Sequence, residues 1–394
     1  MTEYKDLIKG CKNMTSKERI EAVIQGKMPD RDPVSLYKIN PFEKHSFWAQ
    51  YKSFENLLSA AREYQDTFHL WRPSTGFFFS APGSIDIVVD EVEDTPLSKT
   101  LKLSVQTKRG SLQRITRTFK TSTHHWIQKP WVESEKDILR FLELPYATFN
   151  PDISEFFRIC NALGDNGVCV IALPNPLAVV YELFAPGDMP HFILSSPKLI
   201  SRLLDEMQRR LINLYRFIST SITNAIIRIR GAEYAVAPNL PKEYFSDIKK
   251  YFNNFILRYD RELIGILKRG GQNYVCYHWH GDIEEHLPFM LKLGIDILEP
   301  VINSVQKPYY ITRIRQIVGD NIVLMGGLNA EELEFRSTAE IVVMTRDAIL
   351  QGGRMGRFVL IPSSIPKTSP LSLQMEKNYI QFLKTGVESG KYSI

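Results

Sequence analysis

The segment VCYHWHGDIEEHLPFMLKLGIDILEPV, residues 275–301, decides the fold class of this protein. Two short apolar runs, Tyr274 to His278 and Ile295 to Glu299, stand on either side of a longer amphipathic stretch. Apolar runs of this length are typical of strands that are buried on both faces of a parallel sheet. The segment therefore predicts a strand, a helix and a second parallel strand.

The same alternation extends from Ser134 to the C-terminus and, less regularly, toward the N-terminus. Further apolar runs that we interpret as strands are Val34 to Ile39, Val168 to Leu173, Tyr234 to Ala237, Asn321 to Met325 and Phe358 to Ile361. An eighth strand lies in either Thr67 to Leu70 or Phe77 to Ser80. Predicted helices include one that starts at Pro197 and one within Glu243 to Arg269. Since no Gly-x-Gly-x-x-Gly turn follows any run, this pattern favours an α/β protein built as a single (β/α)8 TIM barrel over an open dinucleotide-binding sheet.

Two segments depart from the alternation. Thr15 to Gly26 predicts an N-terminal helix, because Thr15 and Glu18 have the spacing of a capping box and Gly26 ends the apolar stripe. Between residues 74 and 130, polar and apolar side chains alternate around a turn at Arg109-Gly110-Ser111. We therefore predict a β-hairpin insertion at 74–130 within one domain that spans residues 1–394.

The composition argues against several classes of protein. Of the 394 residues, 44% are hydrophobic, and 49 Lys and Arg against 44 Asp and Glu leave a net charge of +5. That charge is too small to indicate nucleic acid as a partner. Four scattered cysteines do not suggest a disulfide scaffold, and no apolar stretch suits a signal or a membrane span. We expect a cytoplasmic protein without a membrane partner; its oligomeric state stays open, a homodimer included.

Candidate catalytic residues of a barrel gather where its strands end. His278 and His280 are two residues apart, so along a strand both point to one side while Trp279 points to the other. Two imidazoles on one face are half of a ligand set for zinc or a similar metal, and Glu299 ends the next strand with a carboxylate. Alternatively, both histidines are wall residues that hydrogen-bond an anionic substrate.

Further candidates lie at the other predicted strand ends. Asp282 follows the two histidines, where a carboxylate orients an imidazole or acts as a base. Asn329 is a candidate hydrogen-bond donor to substrate, and Asn175 a candidate cofactor-binding residue. Gly326 and Gly327 either allow close approach of a cofactor or form a tight turn. The basic residues of the hairpin either hold a carboxylated ligand or form a solvated face; they are Lys108, Arg109, Arg114, Arg117 and Lys120.

Four segments together resemble the uroporphyrinogen decarboxylase superfamily over nearly the whole chain. They are SKERIEAVIQGKMPDRDPV (16–34), VIALPNPLAVVYELF (170–184), the segment 275–301 and GRFVLIPSSIP (356–366). The closer likeness is to its methyltransferase branch, which includes methylcobamide:coenzyme M methyltransferases and related corrinoid-dependent demethylases. The resemblance implies a (β/α)8 barrel with its active site at the carboxyl-terminal mouth.

Only some of the zinc-binding residues of that branch have a counterpart in this sequence. A His-x-Cys-Gly segment and a later Cys hold zinc there; here His278 matches the first ligand, His280 stands in place of the Cys and Ser364 stands near the later Cys. A serine hydroxyl is a poor zinc ligand at neutral pH, which leaves His278, His280 and an oxygen donor such as Glu299. The decarboxylase branch fits less well, because residues 38–42, Lys-Ile-Asn-Pro-Phe, replace its arginine-rich segment.

The resemblance and the site residues together lead to three hypotheses. The first is a methyltransferase that moves a methyl group between a small methylated substrate and a cobalamin-type corrinoid on a partner protein, with metal-assisted activation by zinc or a similar divalent ion. The second is a decarboxylase of a carboxylated substrate. The third is a barrel that binds a corrinoid or small ligand without turning it over.

Overall fold

The computed structural model describes residues 13–122, 125–236, 252–281, 283–304, 306–353, 356–366 and 369–392. The strands within these ranges are β1 (Thr67–Trp71), β2 (Ile87–Asp94), β3 (Ser98–Thr107), β4 (Gly110–Phe119), β5 (His125–Lys129), β6 (Gly167–Pro174), β7 (Ile226–Arg230), β8 (Tyr274–His278), β9 (Ile297–Asn303), β10 (Val323–Leu328) and β11 (Phe358–Leu360).

Most of the helices follow these strands along the chain. They are α1 (Ser16–Ile24), α2 (Glu55–Tyr64), α3 (Glu135–Leu142), α4 (Ser154–Leu163), α5 (Pro176–Tyr181), α6 (Met189–Ser195), α7 (Pro197–Ser221), α8 (Arg258–Gly271), α9 (Leu287–Met290), α10 (Tyr310–Val318), α11 (Ala330–Phe335), α12 (Thr338–Gly352) and α13 (Leu373–Ser389). In the described part of the chain, no helix is both long enough and apolar enough to cross a membrane.

The protein is a mixed α/β protein with a parallel sheet. Within the described residues this sheet has seven strands in the order β1-β6-β7-β8-β9-β10-β11, which follows the order of the chain. The pairs β1·β6, β8·β9, β9·β10 and β10·β11 are each parallel. The predicted parallel strands at 168–173, 274–278, 295–299, 321–325 and 358–361 are therefore confirmed, with shifts of a few residues at their ends.

The predicted strand Val34 to Ile39 is reduced to a single bridge. The Ser35 amide donates to the Leu360 carbonyl at 2.9 Å, and the Asp66 amide donates to the Val34 carbonyl at 2.7 Å. The neighbours of Val34, Pro33 and Ser35, thus bond to Leu360 of β11, and Val34 itself bonds to Asp66, the residue before β1. The strand is short because Tyr37 has a φ of 61°, which an extended run does not allow. Closure into an eight-stranded barrel stays a prediction.

The chain packs as two compact units. The first comprises Met1–Trp71, Ser154–Ile171 and Tyr274–Ile394, and the second comprises Arg72–Ile153 and Ala172–Asn273. The first unit holds β8 to β11 together with α1 and α13. The second holds the antiparallel strands and the helices α5 to α8.

The insertion contains more strands than predicted. Strands β3 and β4 form the expected hairpin, with Thr107 paired to Gly110, but β2 and β5 extend it to a four-stranded antiparallel sheet. Its basic side chains contact acidic neighbours: Lys120 lies 2.7 Å from Asp94, and Arg109 contacts Glu143. These ion pairs favour the interpretation of the basic run as a solvated face.

One predicted strand of the second unit is wrong. Residues 234–236 belong to a short helical turn, Ala232–Val236, and residue 237 lies outside the described residues. The strand in this region is β7, eight residues earlier, where Arg228 is only 3% exposed. Two arginines interrupt this apolar run, which is why its sequence does not look like that of a buried strand.

The N-terminal helix of the first unit is confirmed. The Thr15 hydroxyl accepts from the Glu18 amide at 3.2 Å, and the Glu18 carboxylate accepts from the Thr15 amide at 2.9 Å, which forms the predicted capping box. Arg19 then ties the helix to the rest of the unit, because its guanidinium lies 2.6 Å from both Asp30 and Asp66. Asp66 is completely buried, so this charge is neutralised inside the protein.

Candidate active site at the ends of strands β8 and β9

A buried histidine and a buried glutamate meet at the carboxyl ends of two neighbouring strands. His278 ends β8 and pairs in register with Glu299 of β9. The Nδ1 atom of His278 lies 3.3 Å from Oε1 of Glu299, and the residues are 5% and 1% exposed. This ion-pair contact places a carboxylate beside the Nδ1 atom of the imidazole.

Cys276 extends this pair toward the interior. It lies two residues before His278 on β8, and its thiol donates to Oε2 of Glu299 at 3.3 Å. A thiol, a carboxylate and an imidazole therefore form a buried chain of contacts. Sequence analysis missed Cys276, although its spacing of two residues from His278 places it on the same face of the strand.

His280 lies two residues beyond the end of β8 and is exposed to solvent. Its ring meets the His278 ring edge to face, with centroids 4.5 Å apart and an interplanar angle of 88°. Trp279 between them is fully buried and packs on His286, with a centroid distance of 5.0 Å. The prediction that the two imidazoles converge while Trp279 points elsewhere is confirmed. His278 is buried and His280 exposed, so the two rings have different access to solvent.

A cavity of about 350 Å³ opens beside His280. The residues that line it come from the loop after β8, from β9 and the loop after it, and from the segments after β10 and β11; they are His280, Gly281, Pro300, Ile302, Ser304, Lys307, Tyr310, Asn329 and Ser363. Since parallel strands bring their carboxyl ends to one edge, the cavity lies where a ligand binds in proteins of this class. Its volume suits a small molecule.

Asn329 reaches this cavity from the end of β10. Its Oδ1 accepts from the Ser363 hydroxyl at 2.9 Å and caps helix α11 through the Glu331 amide at 3.4 Å. The Ser363 hydroxyl in turn accepts from the Ala330 amide at 2.9 Å. The bonds from Ser363 and from the Glu331 amide both use the oxygen of the Asn329 side chain and hold its amide group in place.

Tyr310 and Lys307 form the other side of the cavity, and sequence analysis missed both. The Ile283 amide donates to the Tyr310 hydroxyl at 2.8 Å, which connects the loop after β8 to the start of α10. The Lys307 ammonium lies 5.1 Å from the centre of the Tyr310 ring. Neither residue belongs to a recognisable motif, since both follow β9 in a loop whose path only the folded chain defines.

No family model matches this chain, and no curated protein matches it. Among solved structures, a methyltransferase from Methanosarcina mazei matches with a TM-score of 0.56 and 13% sequence identity, covering 95% of this chain and 98% of that chain. The chain shares its fold with that methyltransferase. At this level of identity the likeness concerns the fold alone.

The two glycines predicted to bind a cofactor have structural reasons to be glycine. A Cβ on Gly326 would lie 1.7 Å from the Val301 carbonyl oxygen, because β9 and β10 approach each other closely at a register shift. Gly327 has a φ of +150°, and a Cβ there would lie 2.7 Å from Leu360. Contact with neighbouring strands is enough to require both glycines; their role in cofactor binding stays a prediction.

Three further candidate residues remain. Asn175 belongs to the second unit, where it is fully buried, caps helix α5 through the Ala178 amide at 2.8 Å and donates to Asp260 at 3.2 Å. Asp282 lies outside the described residues. Ser364 is next to the cavity-lining Ser363, but its own hydroxyl contacts only the Ile365 carbonyl, at 3.5 Å.

The donors at the ends of β8 and β9 fit half of a metal site. Among the residues that the structure describes, no cluster of three or more His, Cys, Asp or Glu side chains has the geometry to hold a metal ion. His278 and His280 do meet, and the contact of Glu299 with Nδ1 is the arrangement that orients a ligating imidazole. Glu299 contacts His278, and its role as a further metal ligand stays a prediction.

Proposed function

We propose that the protein is a methyltransferase that moves a methyl group from a small methylated compound to a corrinoid carried by a partner protein. The observation that carries the proposal is the buried Glu299–His278 pair next to the exposed His280, at the edge of a small polar cavity. The fold shared with a methyltransferase and the resemblance of the four sequence segments support it. A closed (β/α)8 barrel is part of the proposal.

The chemistry of methyl transfer defines what the cavity has to do. When a methyl group leaves a methoxy compound, the carbon–oxygen bond breaks and its electron pair stays on oxygen. The nucleophile that takes the methyl group supplies the new electron pair. The site must therefore stabilise or protonate an oxygen that becomes negatively charged.

His280 and Asn329 are the groups of this chain that suit that task. His280 lines the cavity and is exposed, so a protonated imidazole there can give its proton to the departing oxygen and regain one from solvent. Asn329 directs its Nδ2 as a donor, because Ser363 and helix α11 hold its oxygen. A neutral donor of this kind stabilises the developing charge without a proton transfer.

Glu299 positions His278 within this group. When Nδ1, the nitrogen of His278 that lies beside Glu299, carries the hydrogen, the lone pair of the ring lies on Nε2. That nitrogen is then the one that accepts a hydrogen bond or binds a metal. In the metal-assisted form of the proposal His280 is unprotonated: His278 and His280 would hold a divalent ion such as zinc, which would replace the proton and supply a Lewis acid that polarises the methoxy oxygen.

The proposal is tested with free cobalamin as the acceptor. The protein is mixed with reduced cobalamin and a panel of methanol, methoxy and methylamine compounds, and methylation of the corrinoid is followed by its visible absorption. We expect turnover with at least one donor, and loss of turnover in His280→Ala. His191→Ala, which changes an exposed histidine of the second unit, is the matched control. Equal turnover in all three proteins would contradict the assignment of His280.

The metal part is tested separately, by measuring the metal content of the same three proteins after purification without chelators. We expect bound divalent metal in the wild type and in His191→Ala, and a large loss in His280→Ala. Equal content near zero in all three would remove the metal from the proposal and leave proton donation by His280 as the activating step.

A further inference from the structure

Helix α12 of the first unit carries apolar side chains on two opposite faces. Its inward face includes the buried residues Ile341, Ala348 and Ile349, and the helix contacts strand β10 and the helices α10 and α13. On its outward face, Val343 is 57% exposed and Leu350 is 58% exposed. A helix at a protein surface ordinarily carries polar side chains on its outward face. Two large apolar side chains of α12 are instead open to solvent.

Two opposite charges lie between these apolar side chains. Arg346 and Asp347 are exposed and follow Val343 by three and four residues, so they share its face of the helix with Leu350. At a rise of 1.5 Å per residue, Val343 and Leu350 lie about 10 Å apart along the helix axis. The midpoint between them falls between Arg346 and Asp347. Along the helix the face is therefore apolar, positive, negative and apolar.

This arrangement is complementary to itself. When a second copy of α12 lies antiparallel against the first, each residue of the face meets the residue at the same distance on the other side of the midpoint. Val343 then meets Leu350 of the second copy, and Arg346 meets Asp347 of the second copy. Each of these contacts occurs twice, and like charges are not opposed. A two-fold interface requires such a pattern, because both copies use the same surface.

We propose that the outward face of α12 is the centre of a two-fold interface between two copies of this chain. The apolar contacts stabilise the dimer by removing Val343 and Leu350 from water. The two ion pairs contribute mainly to the relative orientation of the copies, since exposed ion pairs add little free energy. An interface of ordinary size buries about 800 Å² on each partner, so exposed parts of neighbouring elements take part as well.

The folded chain was needed for this inference. The spacing of Val343, Arg346, Asp347 and Leu350 is present in the sequence, but Ile341 and Ile349 form an apolar stripe of the same kind. Only burial shows which stripe packs on the protein and which is left for a partner. The proposal does not depend on methyl transfer, because its readout is the mass of the protein in solution.

The experiment measures the oligomeric state of the full-length chain by sedimentation velocity over a range of concentrations. We expect the wild type to change from the 45.4 kDa monomer to a species of twice that mass as its concentration rises. Arg346→Asp opposes like charges in both ion pairs, and so does Asp347→Arg. Each single change should raise the dissociation constant of the dimer about tenfold or more, because two attractive pairs become repulsive. The double variant exchanges the two charges and should return the constant to near its wild-type value.

A pair of leucine variants tests the apolar contacts. Leu350→Glu should leave a monomer at concentrations where the wild type is a dimer. Leu194→Glu is the matched control, because it makes the same change at a leucine of helix α6 in the second unit that is 47% exposed. It should dimerise as the wild type does, and circular dichroism checks that both variants are folded.

Three results would overturn the proposal. The first is a wild-type protein that stays monomeric at every concentration at which it is soluble. The second is a dimer whose dissociation constant is unchanged by the single charge reversals, or is not restored in the double variant. The third is an equal effect of Leu350→Glu and Leu194→Glu. A dimer that forms through another surface gives the second result.

Discussion

His278 and Glu299 are paired in register on neighbouring parallel strands, and their side chains meet at 3.3 Å between Nδ1 and Oε1. Since both residues are almost completely buried, the carboxylate interacts with the imidazole rather than with solvent. The arrangement makes His278 a residue whose orientation depends on a partner on another strand.

Replacing Glu299 by Gln should lower activity while leaving the protein folded. The amide keeps the shape of the side chain, but it removes the negative charge that lies beside the imidazole of His278. Losses of about 10- to 100-fold are typical when such a supporting carboxylate is changed. We expect the loss in kcat with the corrinoid assay, with little change in KM. Glu331→Gln, at an exposed position of helix α11, should behave as the wild type.

The adjacent serines Ser363 and Ser364 should respond differently to replacement by alanine. Ser363 bonds to both Asn329 and the Ala330 amide, so Ser363→Ala should loosen Asn329 and raise KM for the methyl donor. Loss of these hydrogen bonds should also cost about 1 kcal/mol or somewhat more of stability in urea unfolding. Ser364→Ala removes only a long contact to its neighbour and should change neither quantity. Equal effects in the two variants would argue against the role of Ser363.

Gly326 should be needed for folding, whatever it binds. An alanine methyl group there would lie 1.7 Å from the Val301 carbonyl, and backbone cannot yield as a side chain can. We expect Gly326→Ala to lower stability by several kcal/mol or to prevent folding, as severe overpacking does. Gly265→Ala is the matched change, because it meets only the flexible end of Arg269 within helix α8. Thermal unfolding of both variants tests this, and a stable Gly326→Ala protein would point instead to a ligand-binding role.

The ion pair of Arg19 with Asp30 should make stability depend on pH on the acid side. Burial alone would raise the pKa of Asp30, but the hydrogen bond and the charge of Arg19 outweigh it and hold the pKa below its ordinary value of 3.8. A lowered pKa in the folded state means that the stabilisation is present above that value and is lost as the pH falls further. Asp30→Asn should therefore lower the urea midpoint at pH 7 and have less effect near pH 3. An equal effect at both pH values would contradict the linkage.

Local signals in the sequence predicted the elements whose cause is itself local. The capping box at Thr15 and Glu18, the helix that begins at Pro197 and the hairpin around residue 109 all depend on residues a few positions apart. The predicted strand 274–278 has the same bounds as β8. A strand that is buried on both faces is a continuous apolar run, which can be identified in the sequence without knowing the neighbouring strands. Strand β7 was missed because Arg228 is buried there, against the usual preference of arginine.

From the sequence alone, most of the parallel strands and the convergence of His278 and His280 could be predicted. Both follow from periodicity along one strand, which acts over two to four residues. The tertiary structure was needed to show that Glu299 contacts Nδ1 of His278 and that Cys276 contacts Glu299. It was also needed to show that Lys307, Tyr310 and Asn329 line one cavity. These contacts join residues on different strands and loops, and the register between strands is set by packing across the sheet rather than by any short stretch of chain.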